Sequence, residues 1–160
     1  MKVEKLVSIS LERYACLGKD GLFREEGEWI KGLENVQLTL FNSPLLLMLQ
    51  QSPQPYQDST YVYLVEGEKD CETLKQHGLI ATCNPMGAGK WRNSYNELLR
   101  GLTCFIITDN DKAGHEHSKL VLKSLQGIAN SVQLIDLVEL MPDLPPKGDI
   151  TDFFERGGKL

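Results

Sequence analysis

Two apolar runs of the sequence end in acid. Residues 61–65 (YVYLV) lead straight into Glu66-Gly67, and residues 102–108 (LTCFIIT) lead into Asp109-Asn110-Asp111. Short β-rich runs of this kind read as strands. If both lie in one parallel sheet, Glu66, Asp109 and Asp111 arrive at the same edge, where ligands of such sheets collect. Carboxylates that converge repel one another unless a cation sits among them. Hard oxygen donors with open positions suit Mg²⁺ or Mn²⁺, which take one or two carboxylates, water and phosphate oxygens. Strand ends also carry Asp and Glu simply as turn formers and helix caps. Both acidic groups together at strand ends favour a metal site. Asp109 and Asp111 alternate, so an extended chain points both the same way, and Gly114 then lets the backbone turn into a helix.

Two competing motifs fail on the spacing of DNDKAG. An EF-hand loop would need Asp or Asn at its fifth position and Glu at its twelfth, where Ala113 and Leu120 stand. A D-x-D-x-[TV] phosphatase motif fails at the same Ala113. Residues 84–92 (NPMGAGKWR) look like a phosphate-binding loop without being a Walker A sequence, because Asn84 replaces its first glycine and Trp91 its Ser or Thr. Gly87 and Gly89 leave backbone N–H groups approachable, and Lys90 and Arg92 add positive charge, which suits a phosphate. The plain alternative is a glycine-rich loop with solvated basic side chains. In KGDITDFF, Asp149 or Thr151 can cap a final helix, the weightier reading, or Asp149 can be an outer acid of the metal cluster. His77, His115 and His117 are not spaced as a metal set, and Trp91 reads as packing, with stacking on a base as the alternative.

The elements that must position these groups alternate. Helices are expected over 68–77, 94–100, 113–125 and 150–155, and strands over 61–65, 79–83, 102–108 and 132–137. This alternation implies an α/β domain with a mostly parallel four-stranded sheet and helices on both faces. Ahead of it, two prolines and polar residues in 50–60 mark a seam. The expected domains are 59–160 and an N-terminal α+β appendage over 1–58. The appendage combines short β runs at 3–16 and 22–31 with a helix opened by Ser43-Pro44.

At 160 residues the chain suits one domain with an appendage. Its composition, 41% hydrophobic and 24% charged, excludes wholesale disorder. A net charge of −5 argues against a wholly basic nucleic-acid-binding surface. Cys16, Cys71, Cys83 and Cys104 have no zinc-finger spacing. The N-terminal residues lack the apolar core of a signal peptide, and no apolar run approaches a membrane span, so a cytoplasmic protein without membrane contact is expected.

LVEGEKDCETL, ATCNPMGAGKW, FIITDNDKAGHEHSKLV and GDITDFFERGG, in this order and spacing, resemble the TOPRIM domain over about residues 61–158. That Rossmann-like fold is shared by DnaG-type primases, topoisomerases, OLD-type nucleases and recombination factors. The wording is most similar to primase-like proteins of phages and mobile elements, and residues 29–49 resemble the segment preceding the domain there. The resemblance implies metal-dependent nucleotidyl transfer, RNA primer synthesis on a single-stranded DNA template from NTPs. Glu66 matches the general acid or base, Asp109 and Asp111 the Mg²⁺-binding pair, Lys90 the phosphate contact, and Asp70 a structural support. Met86 stands where related sequences commonly have glycine. Neither the zinc-binding primase module nor a Walker A helicase module is present in these residues. The implied protein is therefore a TOPRIM module from a longer replication protein or a mobile element, with a zinc-binding primase module or a replicative helicase as its expected partner. A non-catalytic binding module and a TOPRIM nuclease are the alternatives.

Overall fold

The computed structural model describes residues 22–25, 28–31, 38–51 and 61–160. The chain divides into two compact units, Met1–Thr39 and Leu40–Leu160. In the first, β1 (Leu22–Glu25) and β2 (Glu28–Lys31) pair antiparallel, with Leu22 opposite Lys31 and Glu25 opposite Glu28. The other expected β run, 3–16, lies outside the described residues, as do Cys16 and most of the polar seam (52–60). The division after Thr39 places helix α1 (Ser43–Gln51) in the second unit, and not in the appendage to which its position ahead of the seam assigns it. Contacts explain the placement. Phe41 N–H donates to the Cys83 carbonyl, Asn42 Nδ2 to Ala81, and Gln50 Nε2 to the carbonyls of Glu97 and Arg100.

The second unit is built on four parallel strands: β3 (Tyr61–Leu64), β4 (Ile80–Thr82), β5 (Thr103–Thr108) and β6 (Ser131–Asp136). Their order is β4-β3-β5-β6, and every pairing is parallel. Helices α2 (Glu68–Gln76) and α3 (Lys112–Leu125) follow β3 and β5. A 3-10 helix (Asn93–Leu99) connects β4 to β5, and short helices α4 (Leu137–Leu140) and α5 (Ile150–Glu155) close the chain. Successive strand side chains point to opposite faces. Tyr63, Val65 and Ile107 therefore join Leu74 of α2 and Phe153 of α5 in one cluster. Val62, Leu64, Cys104 and Ile106 are buried on the other face, where Leu64 and Ile106 meet Val121 of α3. Helices thus flank the sheet on both faces.

Strand order positions the site. The chain enters at β3, steps outward to β4, and then returns across β3 to β5. The direction of winding reverses between β3 and β5, and ligands of open α/β sheets bind outside the carboxyl ends at such a switch point. Leu64 pairs with Ile106, and two residues further on Glu66 is level with Thr108, one residue short of Asp109. No helix among the described residues is long and apolar enough to cross a membrane.

Candidate functional site

A cleft of about 330 Å³ opens at this edge. Glu66, Asp70, Asn84, Gly87, Asp109 and Asp149 are among its walls. A second, smaller space of about 10 Å³ is also bounded by Glu66, Asn84 and Asp109, and by Trp91, His117 and Ser118. That space has room for one water-sized body. Glu66, Asp109, Asp149 and Gly87 are therefore brought together. Asp111, Gly89, Lys90 and Arg92 line neither space.

The acids raise one another. Burial pushes Asp109 up to about 8, helped by the charges of Asp70, Glu66, Asp149 and Asp111. Glu66 is also raised, first by burial and then by Asp111, while a hydrogen bond from the Ala88 N–H pulls the other way. Asp70 is pushed up to about 6 by burial and by Asp149, although the Thr151 hydroxyl donates to its Oδ1 at 2.9 Å. Four carboxylates share one low-dielectric edge, a costly arrangement for the protein alone.

Asp109 and Asp111 do not point the same way along an extended chain. The Asp111 N–H donates to the Asp109 carbonyl at 2.8 Å, so the backbone turns sharply at Asn110. Asp109 is left in the cleft wall, and Asp111 becomes the N-cap of α3, its Oδ1 accepting from the Gly114 N–H at 2.7 Å. Gly114 matters for closeness rather than for turning. A Cβ there would stand 3.1–3.2 Å from Asp109 atoms, backbone included. Asn110, which no sequence pattern marks, clasps the 144–148 loop. Its side-chain amide donates to the carbonyls of Leu144 and Pro145, its N–H donates to Gly148, and its own carbonyl accepts from Lys147.

The glycine loop is shaped by side chains from elsewhere. Met86, Gly87 and Gly89 have φ of 70°, 73° and 72°. Glycine adopts this left-handed conformation freely, and a methionine does not. The Gly89 N–H donates to His117 Nδ1 at 3.2 Å, and the Ala88 N–H serves Glu66, so these two donors are already engaged within the protein. Burial holds His117 below its usual range, which favours neutral imidazole as acceptor. The Trp91 indole donates to Asn96 and Ser124, fixing its ring within the fold. Lys90 and Arg92 are exposed beside it.

Asp149 caps α5 in a reciprocal box. The Asp152 N–H donates to Asp149 Oδ1 and the Asp149 N–H to Asp152 Oδ2, while Lys69 Nζ lies 3.1 Å from Asp149 Oδ2. Asp149 caps a helix and also borders the cleft. Thr151 does not cap; its hydroxyl holds Asp70 and meets that of Thr73.

Among the described residues, no group of three or more His, Cys, Asp or Glu could hold a metal ion by itself. A hard cation that keeps part of its water shell needs only one or two protein carboxylates, and Glu66 and Asp109 both line the cleft. Asp109 Oδ1 is buried without a hydrogen-bond partner, and a positive charge beside it would relieve both that orphaned acceptor and the crowded acids. Compared with known proteins, the chain matches no family model, no curated protein and no solved structure.

Proposed function

We propose that the second unit is a TOPRIM-type module performing divalent-cation-dependent nucleotidyl transfer, as in primer synthesis on single-stranded DNA. The observation that carries this reading is the delivery of Glu66 and Asp109 by adjacent parallel strands to the two sides of a switch-point cleft. Glu66 and Asp109 would hold Mg²⁺ or Mn²⁺, with Asp111 adding negative potential from the helix cap. A cation bound there supplies charge neutralisation for a phosphate group. The chain's own part is positional. Burial holds Glu66 above its ordinary range while the site carries no cation, and the Ala88 N–H orients its carboxylate. Lys90 and Arg92, exposed on the adjoining loop, are the groups proposed to meet the phosphates of NTPs or template.

A second reading, a nucleic-acid or replication-partner binding module without catalysis, draws on one observation: Asp111 Oδ1 is occupied by the Gly114 N–H. One experiment separates the readings. The protein is incubated with labelled single-stranded DNA, NTPs and Mn²⁺. New oligonucleotide product that disappears in Asp109→Ala supports nucleotidyl transfer. Shortened DNA indicates a nuclease, and retarded but unchanged DNA the binding module; either outcome overturns the first reading.

A further inference from the structure

Three buried side-chain atoms among the described residues have no hydrogen-bond partner: Asn84 Oδ1, Tyr95 Oη and Asp109 Oδ1. Two of them border the same spaces. Asn84 is only 2% exposed, yet it lines both the cleft and the smaller space, together with Asp109 and Glu66.

The way its amide faces is fixed by the loop. Asn84 Nδ2 donates to the carbonyls of Pro85 at 3.1 Å and Gly87 at 2.8 Å. A flipped amide would set its oxygen against two acceptors. Oδ1 is therefore the atom left without a donor. Two orphaned oxygens, one of a carboxyl and one of an amide, adjoin a space with room for a single small body. A water molecule could satisfy either acceptor. A divalent cation would do so while also allowing Asp109 to ionise beside Glu66, Asp70 and Asp149, which line the same cleft. The carboxylates do not make a three-ligand set, and an amide oxygen adds a donor without adding negative charge. Amide carbonyls are ordinary ligands of hard cations.

We propose that Asn84 Oδ1 is a direct ligand of the divalent cation held by Glu66 and Asp109. The Nδ2 bonds to Pro85 and Gly87 then tie the shape of the glycine loop to occupancy of the site. This assignment rests on the metal reading above and adds to it a ligand on a different strand end, after β4.

The test is a Mn²⁺ titration of the whole chain, following free Mn²⁺ by electron paramagnetic resonance. Asn84→Ala should weaken binding about 10-fold or more, the range typical for loss of a group that sets metal affinity. Asn84→Asp loses both donors to the loop but keeps an oxygen and gains a charge, so it should bind at least as tightly as the unsubstituted chain. Equal weakening in both variants would mean that Asn84 only braces the loop, and unchanged affinity in Asn84→Ala would remove it from the site; either result overturns the assignment. If the unsubstituted chain binds no Mn²⁺, the metal reading falls with it, whereas tight binding that ignores Asn84 overturns the ligand assignment alone. Should Asn84→Ala fail to fold, the side-chain carbonyl ¹³C resonance of Asn84 in the unsubstituted chain decides. It should move on saturation with Mg²⁺, and a resonance that stays put overturns the proposal.

Discussion

Asp70 is an acid in a place that suits its protonated form. It is 5% exposed, and it is pushed up to about 6 chiefly by burial and by the charge of Asp149. Because its folded value lies above its unfolded one, its contribution is greatest below about pH 4 and is lost as pH rises to about 6. Asp70→Asn keeps an oxygen for the Thr151 hydroxyl and removes the buried charge. The variant should therefore be more stable than the parent at pH 8, by up to about 3 kcal/mol, and little different at pH 4. Urea denaturation at the two pH values checks this, and a stability difference that does not change with pH would contradict it. Gly114 predicts the opposite sign. A methyl group there needs the Asp109 backbone, which has little room to yield, to give by a few tenths of an ångström, a cost that outweighs the ~1 kcal/mol by which a helix favours Ala over Gly. Gly114→Ala should therefore cost about 1–3 kcal/mol and also weaken Mn²⁺ binding. Thermal melts and Mn²⁺ titration give the two readouts.

At the scale of elements, the C-terminal helix α5 braces the site from outside the sheet. Asp149 closes its capping box, pairs with Lys69 of α2, and stands at the cleft, while Thr151 reaches Asp70. Asp149→Ala should destabilise the fold by about 1–2 kcal/mol through the lost cap, with little from the largely exposed ion pair. It should also bring Asp109 and Asp70 closer to ordinary carboxyl values, because one neighbouring charge is gone. NMR titration of the carboxyl carbons would show both downward shifts.

The alternation of strands and helices is legible in sequence because apolar runs such as TCFIIT are bounded by Gly101 and Asp109. Reading 94–100 as a helix misses its 3-10 character. Sequence also hides α4, four residues long and too short for any periodicity to show. Glu66 and Asp109 are legible because acid directly after a β-rich run is a local pattern. Asn84, Asn110 and His117 are not, since their partners are set by the tertiary fold and no spacing announces an amide that clasps a loop or lies buried with a bare oxygen. Asp111 escapes the alternation argument for a related reason: one turn at Asn110 decides where its side chain goes.

For the molecule as a whole, the crowded acids make stability depend on pH, and on the proposed reading on cations as well. Asp109 sits at about 8 against an ordinary 3.8. The stability of the metal-free protein should therefore fall by about 1 kcal/mol between about pH 7 and pH 9. His117, held below its usual range, has its effect at lower pH and with the opposite slope, while the buried thiols of Cys71 and Cys104, both raised, add a fall of their own toward pH 9. Asp109→Asn should remove the Asp109 share of the fall and leave that of the thiols. Saturating Mg²⁺ should reduce it by the same amount, by holding Asp109 ionised in the folded state. Melting curves at the two pH values, with Mg²⁺ and with chelator, test this; a fall that is the same in Mg²⁺ as in chelator would show that no cation sits beside Asp109.

The long reach of the Lys69–Asp149 and Asp70–Thr151 contacts bears on how the protein is made. Their partners are 80 and 81 residues apart, and β3 pairs with β5 only after the chain has run out to β4 and back. Non-local pairings of this kind form late, because loop closure must precede any gain from the contact. During synthesis, Glu66 and Asp109 emerge well before the residues that brace them from α5. Until β3 and β5 pair, Glu66 and Asp109 are held apart and solvated, so their crowding arises only with that long-range pairing. Cation binding would then act as a late step that favours completion of the fold, a dependence that refolding rates with and without Mg²⁺ would reveal.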